Sequence, residues 1–305
     1  LNIPYGQLAS LAKISINLEK QGFTILDQSD ATLGKNTRQK MVQRFVRVQP
    51  HDGAAVYGQL QTNRTVQLLS APPWEDDTLT SHILTPEQYS LLAPCTPSKI
   101  VCVGKNYVAH AAEMKSTVPD EPLIFLKPPT AIAQPEQTID YPQESSHIEY
   151  EGELALIMGT ICRNCAVEDA RPYIWGYTVA NDITARDLQR SDGQWTRAKG
   201  FDGFCPLGPW IVRSLSKSAL LQTFVNHEPH PRQSSTLDQM VFNPEQLVSY
   251  ISQIMTLLPG DVILTGTPAG VGPLQVGDRV SISIEGIGVL QNTVGHGTQV
   301  PNYRT

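Results

Sequence analysis

The chain has 305 residues, of which 40% are hydrophobic and 17% charged, and a formal net charge of -6. That length can bury a substantial core, as one large domain or one large and one small, and the composition excludes a mostly disordered chain. The acidic balance excludes long-range attraction to nucleic acid or to an anionic membrane surface, so neither is an expected partner.

Residues 1–40 hold one amphipathic helical pattern, around Leu8 to Leu18, and then a polar stretch ending Gly34-Lys35-Asn36-Thr37-Arg38-Gln39-Lys40. The first methionine is Met41, and residues 1–40 are expected to be an extension upstream of the true start. From there Val42, Arg44, Val46 and Val48 alternate with Gln43, Phe45 and Arg47 as in a strand, and Ala54 to Leu60 and Thr65 to Leu69 continue a small β-rich domain over 41–95. Pro94 and Pro97 punctuate the boundary to a second domain over 96–300. Lys99 to Val103 reads as a buried strand, Gly104-Lys105-Asn106 as a turn, and Tyr107 to Met114 as a helix. Asn243 is an N-cap before Pro244 at the first helical position, and Leu247, Ile251, Ile254 and Leu258 form the expected buried stripe. Val262 to Leu264, Val280 to Ile284 and Gly288 to Leu290 follow as strands. No apolar run reaches the roughly 18 to 20 residues of a membrane span and no basic-then-apolar leader is read, so the expected location is cytoplasmic. Cys162 and Cys165 spell C-x-x-C, but no second pair stands at a spacing that would complete four zinc ligands.

Chemistry concentrates in Glu151-Gly152-Glu153, which runs directly into Leu154-Ala155-Leu156-Ile157-Met158. On a strand the two carboxylates point the same way, about 6 to 7 Å apart. In a half-buried site they repel, and a cation between them relieves the repulsion. An all-oxygen cluster suits a hard divalent ion such as Mg2+, whereas a solvated strand face is the plainer alternative. Asp182, where an apolar strand gives way to polar residues, reads either as a helix N-cap or as a further ligand. His110 and Glu113 lie three apart on one helix face, as a surface pair or as an imidazole oriented to act as a general base. Lys199 stands among glycine and aromatic residues, where an ammonium can stabilise an oxyanion or enolate. Thr265-Gly266-Thr267-Pro268-Ala269-Gly270-Val271-Gly272 offers hydroxyls and close backbone approach for an anion, and it lacks the ending of a P-loop.

Taken in order, Gly104-Lys105-Asn106-Tyr107 with His110 and Glu113, Phe125-Leu126-Lys127-Pro128, Tyr150-Glu151-Gly152-Glu153-Leu154-Ala155, Asn181-Asp182 to Arg186-Asp187, Lys199-Gly200-Phe201-Asp202 and Thr265-Gly266-Thr267-Pro268 resemble the fumarylacetoacetate hydrolase family. The resemblance covers about residues 97 to 294, and residues 41–95 resemble the small N-terminal domain of some members. It implies a mixed α/β, β-rich fold, a β-roll with a barrel-like core, usually in a homodimer. It also implies a divalent ion held by Glu151, Glu153 and Asp182, with Mg2+ first and Mn2+ or Ca2+ as alternatives. His110 and Glu113 match a dyad on a lid helix, as in the acylpyruvase and oxaloacetate decarboxylase branch. Lys199 matches a lysine near the reacting oxygens, and Lys127, Arg186, Gln189 and Thr267 match positions that contact substrate. Two positions depart from the pattern. Glu149 stands where many members have Asp or His, which places a third acid near the metal or faces solvent. Gly203 stands where some members have a threonine hydroxyl near the cation.

The implied partner is a small anionic 2-oxo acid or dicarbonyl compound, cleaved at a carbon–carbon bond through an enolate whose charge the ion and Lys199 share. In the hydrolytic version His110, oriented by Glu113, activates a water; in the decarboxylating version carbon dioxide leaves and no water attacks. A tautomerase or isomerase of 2-hydroxydienedioates, acting through the same enolate, is the alternative within enzymes. A metabolite-binding module without turnover is the alternative outside them.

Overall fold

The computed structural model describes residues 42–296. The expected helix at Leu8 to Leu18 and the expected start at Met41 lie outside them. Strands β1 (Arg44–Pro50), β2 (Val56–Leu60), β3 (Val66–Leu69) and β4 (Leu79–Leu84) form an antiparallel meander, and β5 (Tyr89–Leu92) returns along β1. The alternation expected of β1 buries Val46 and Val48, but Phe45 is buried too, edge-on against Trp175 at 4.9 Å. Both faces of this strand are covered, so its pattern is not that of a half-exposed strand.

Next come β6 (Ile100–Gly104), helix α1 (Val108–Glu113), β7 (Leu123–Lys127), β8 (Ile132–Ala133), β9 (Thr138–Asp140), β10 (Ile148–Tyr150), β11 (Gly152–Met158) and β12 (Ile174–Asn181). They are followed by β13 (Thr184–Ala185), α2 (Arg186–Asp192), α3 (Thr196–Lys199), β14 (Cys205–Val212), β15 (Leu220–Val225) and β16 (Gln233–Thr236). Helix α4 (Pro244–Ile254), β17 (Val262–Leu264), β18 (Gly272–Leu274), β19 (Arg279–Ile284) and β20 (Gly288–Gly295) complete the described residues. A 12-stranded sheet runs β4-β3-β2-β1-β14-β12-β11-β17-β6-β7, with β5 beside β1 and β8 beside β14. A five-stranded sheet, β16-β15-β19-β20-β9, and a three-stranded one, β13-β10-β18, accompany it. The fold is therefore mixed α/β and β-rich. The large sheet runs across the expected boundary near residue 95, because β1 pairs with β14.

Strand β11 shows why the middle of the chain reads as an unbroken apolar run. Leu154, Leu156 and Met158 share one cluster with Val280, Ile282 and Leu290, while Ala155 and Ile157 on the other face join Ile100, Cys102, Val262 and Leu264. A strand buried on both faces needs apolar residues at every position. Helix α4 starts as expected: the Asn243 side chain accepts from Gln246 N at 3.0 Å, and Gln246 Oε1 accepts from Asn243 N at 2.9 Å. Its expected stripe is corrected in part. Leu247 and Ile251 are buried, but Ile254 is 50% exposed and Leu258, beyond the helix end, is 37% exposed. The inner face is completed by Val248, Ser249 and Ser252. Among the described residues no helix is long and apolar enough to cross a membrane.

Candidate active site

Glu151 sits at the break between β10 and β11, Glu153 is the second residue of β11, and Asp182 follows the last residue of β12. Antiparallel register pairs Gly152 with Asn181, which puts the start of one strand beside the end of the other. Asp182 N donates to Glu151 O at 2.9 Å, and Glu151 N donates to Asn181 Oδ1 at 2.9 Å. One carboxylate oxygen from each of Glu151, Glu153 and Asp182 lies within 4.8 Å of the others, and all three side chains are buried. Asp182 caps no helix, since α2 begins at Arg186 with Ala185 as its N-cap. At such separations and an effective dielectric of 20, each pair of full charges would repel by at least about 3.5 kcal/mol.

Buried cations answer that repulsion. Lys199 Nζ lies 2.9 Å from Glu151 Oε2 and 2.7 Å from Asp182 Oδ2. Lys127 Nζ lies 2.6 Å from Asp182 Oδ1 and donates to Ile183 O at 3.0 Å. Arg186 reaches Glu151 Oε1 at 2.6 Å, Glu149 Oε2 at 2.8 Å and Gln189 Oε1 at 2.6 Å. Burial pushes the Glu151 carboxyl up, but Lys199, Arg186 and His110 outweigh it and hold Glu151 well below the usual range. Glu153 goes the other way: burial first, then the charges of Asp182 and Glu151, raise it well above that range. Burial disfavours the charged Lys199, yet Asp182 and Glu151 raise its pKa overall. The cluster sets four carboxylates, Glu149, Glu151, Glu153 and Asp182, against three cations, Lys127, Arg186 and Lys199, so one acid is in excess.

Glu149 neither joins the three acids nor faces solvent; it braces Arg186 and accepts from His147 Nε2 at 2.8 Å. At Gly203 the backbone has φ +78°, while an added Cβ would touch only Ile139 Cδ1 at 3.9 Å. The left-handed backbone therefore favours glycine there, and a β-branched threonine would be strained.

On α1, His110 Nδ1 lies 3.3 Å from Glu113 Oε2, and His110 is 5% exposed. A carboxylate at Nδ1 favours the proton on that nitrogen and leaves Nε2 as the acceptor. A cavity of about 210 Å³ is lined by Glu151, Glu153, Asp182, Lys199, Arg186, Gln189, Thr267 and His110. Glu113 stands behind His110, and Lys127 stands behind Asp182 at 1% exposure. The loop from Thr265 spends its expected anion donors within the protein. Gly266 N donates to Glu153 Oε2 at 2.7 Å, Thr265 Oγ1 to Leu154 O at 3.0 Å, and Thr267 Oγ1 to Gly152 O at 2.8 Å.

Gln233 and Trp195, which shape this site, carried no sequence signal, and Gly152 and Phe125 are legible only as parts of longer motifs. Gln233, fully buried, satisfies all four of its hydrogen-bonding positions: its Nε2 donates to Thr267 Oγ1 at 2.7 Å and Pro268 O at 2.8 Å, and its Oε1 accepts from Gly152 N at 2.9 Å and Thr223 Oγ1 at 2.8 Å. A Cβ on Gly152 would come within 2.4 Å of Thr223 Oγ1, so the residue between the two glutamates has to be glycine. Phe125 and Trp195 meet edge to face at 5.1 Å as an apolar wall, with Lys199 Nζ 4.9 Å from the Phe125 ring centre. The five cysteines are free and buried, and Cys165 packs under α4, its carbonyl accepting from Ser249 Oγ at 2.8 Å.

The family model Fumarylacetoacetate (FAA) hydrolase C-terminal matches residues 99–295, and a second, Rv2993c-like, N-terminal, matches residues 43–94. The chain is 42% identical to the mitochondrial oxaloacetate tautomerase fahd2 of Xenopus laevis over 234 residues, 70% of this chain and 70% of that protein. The crystal structure of 2-hydroxyhepta-2,4-diene-1,7-dioate isomerase from Mycobacterium marinum aligns with a TM-score of 0.76 and 42% identity, covering 84% of this chain and 100% of that one. Fumarylpyruvate hydrolase from Pseudomonas aeruginosa, solved in complex with Mn2+ and pyruvate, aligns with a TM-score of 0.62 and 35% identity, covering 68% of this chain and 92% of that one.

Proposed function

The chain belongs to the fumarylacetoacetate hydrolase family, and from that premise we propose that it is a divalent-metal-dependent enzyme that cleaves a carbon–carbon bond beside a 2-oxo acid by acylpyruvate-type hydrolysis or oxaloacetate-type decarboxylation. One observation carries this reading: three carboxylates, a buried lysine and a carboxylate-oriented histidine converge on one small cavity. Three hard oxygen donors within 4.8 Å fit a hard dication, Mg2+ first, with Mn2+ and Ca2+ as alternatives. A divalent ion held by Glu151, Glu153 and Asp182 supplies Lewis-acid stabilisation of the charge that develops on the 2-oxo oxygen.

The chain's own groups do the rest. Arg186 and Gln189 orient the anionic end of the substrate, Thr267 braces the Gly152 carbonyl between the two glutamates, and Lys127 fixes the Asp182 carboxylate from behind. Lys199, between Glu151 and Asp182, presents its ammonium to the enolate oxygen. In hydrolysis His110 Nε2 takes a proton from water as the water oxygen bonds to the distal carbonyl carbon of a 2,4-dioxo acid. The bond between that carbon and the methylene breaks, its electron pair passes into the enolate of the 2-oxo acid, and a proton completes the product. Glu113 holds the imidazole and balances its charge. In decarboxylation the same electron pair is released by departing carbon dioxide, with no role for water.

A second reading, tautomerase or isomerase action on 2-hydroxydienedioate-type substrates, is favoured by the names of the tautomerase and isomerase relatives, and it needs the same enolate without bond cleavage. Assays of acetylpyruvate, oxaloacetate and a 2-hydroxydienedioate, each with and without chelator, separate the readings. Pyruvate released from acetylpyruvate and abolished by chelator is the expected result. Keto–enol exchange without cleavage selects the second reading, and binding of all three without conversion selects a metabolite-binding module. The same reading carries a homodimer, a cytoplasmic location and a chain divided near residue 95, tested by light scattering, fractionation and limited proteolysis.

A further inference from the structure

Whether His110 is oriented depends on what holds the Glu113 carboxylate, and water competes for it because its side chain is 34% exposed. Helix α1 has only six residues and is too short to hold its own geometry. Its N-terminal base is fastened by Asn106, whose Nδ2 donates to Phe242 O at 2.9 Å and Thr265 O at 2.7 Å and whose Oδ1 accepts from Phe242 N at 2.7 Å. Its far end is fastened at Gly270, whose N–H lies 3.1 and 3.2 Å from the two Glu113 oxygens.

Gly270 itself has to be aimed. It adopts φ +100°, and an added Cβ would stand 1.9 Å from Arg232 O, so the position admits only glycine, the residue with the softest backbone. Tyr150, 1% exposed, holds it: the phenol Oη donates to Gly270 O at 2.7 Å. Tyr150 is the last residue of β10, paired in register with Gly272 and directly preceding Glu151. One strand end therefore places a carboxylate on the floor of the cavity and, through Gly270 and Glu113, an imidazole above it.

We propose that Tyr150 is a positioning residue for the His110–Glu113 pair, acting by aiming the Gly270 N–H at Glu113. The inference rests on the hydrolytic reading for its kinetic consequence, but the latch can be tested without turnover. Tyr150→Phe keeps the ring and removes one donor. In this variant kcat for acetylpyruvate falls about tenfold, as expected when a catalytic group is slightly misplaced, while the calorimetric Mn2+ affinity stays within about twofold, less than one hydrogen bond's worth. Hydrogen exchange of the amides in residues 108–114 speeds up, and oxaloacetate decarboxylation, which needs no attacking water, keeps more of its rate than hydrolysis does. Adding Glu113→Gln to Tyr150→Phe slows hydrolysis no further than Glu113→Gln alone, because both act on one contact. Unchanged exchange in Tyr150→Phe overturns the proposal, as does a loss of Mn2+ affinity matching the loss of rate, which would mean that Tyr150 acts through Glu151. If the wild-type protein converts no substrate, the hydrolytic reading fails, and the exchange of residues 108–114 still decides whether Tyr150 holds α1.

Discussion

Glu151, Glu153 and Asp182 stand on strand ends within and beside a twelve-stranded sheet, whereas His110 and Glu113 stand on a six-residue helix tied down at its two ends. On the floor, the bonds that aim the functional groups also hold the fold: the pairing of β11 with β12 sets the acids, and Lys127, Arg186 and Lys199 neutralise them. On α1, the groups are aimed by a few contacts at the two ends of the helix. Damage to the floor should therefore reach stability and metal binding together, and damage to the contacts that aim His110 should fall on rate more than on metal binding.

The largest effect is expected from Asp182→Ala, which strips Lys127 and Lys199 of a buried partner. Removing one partner of a buried ion pair costs about 3 to 5 kcal/mol. Thermal denaturation and Mn2+ titration should show a large fall in melting temperature with loss of binding, and a variant of undiminished stability would break the contrast from the floor side. His110→Ala comes next. Loss of a general base lowers hydrolysis by roughly 10²- to 10⁴-fold, with melting temperature and Mn2+ affinity retained and decarboxylation less affected. Equal loss of both reactions in steady-state assays would count against the role of the pair.

A smaller effect has a definite sign in pH. The folded-state pKa of Glu153 is raised, so the stability it contributes to the metal-free protein is present at low pH and lost as pH rises through that value. A bound cation needs Glu153 ionised and releases its proton. The melting-temperature gain on adding Mn2+ should consequently grow as pH rises, and scanning calorimetry showing a gain that shrinks would refute the assignment of Glu153 as a ligand. The smallest effect is expected from Val108→Ala, on an α1 residue that is 65% exposed. Its stability should stay within about 0.5 kcal/mol of wild type, with kcat unaltered, as chemical denaturation and kinetics can check.

Much of the floor was legible because it is written in adjacent residues. Glu151-Gly152-Glu153 gave two same-facing acids, and the apolar run after it gave a strand buried on both faces. Asp182 at the end of an apolar strand left two readings open, and only pairing across β11 and β12 separates them. What bound these pieces together was not legible. Gln233 meets Gly152 across 81 positions of chain, and Tyr150 meets Gly270 across 120. A single polar residue inside a strand has no periodicity that would announce such a partner. The α4 stripe went astray for a local reason: the helix stops at Ile254, so Leu258 leaves its face and serines complete the inner side.

The surplus acid in the buried cluster ties metal binding to a proton. Burial and the charges of Asp182 and Glu151 favour the protonated Glu153, so the metal-free cluster has little net charge with which to draw in an organic anion. A dication needs Glu153 ionised and would leave the four acids and three cations of the cluster one positive, which attracts a monoanionic keto acid. Association should for that reason be sequential, the cation entering ahead of the organic anion and leaving after it.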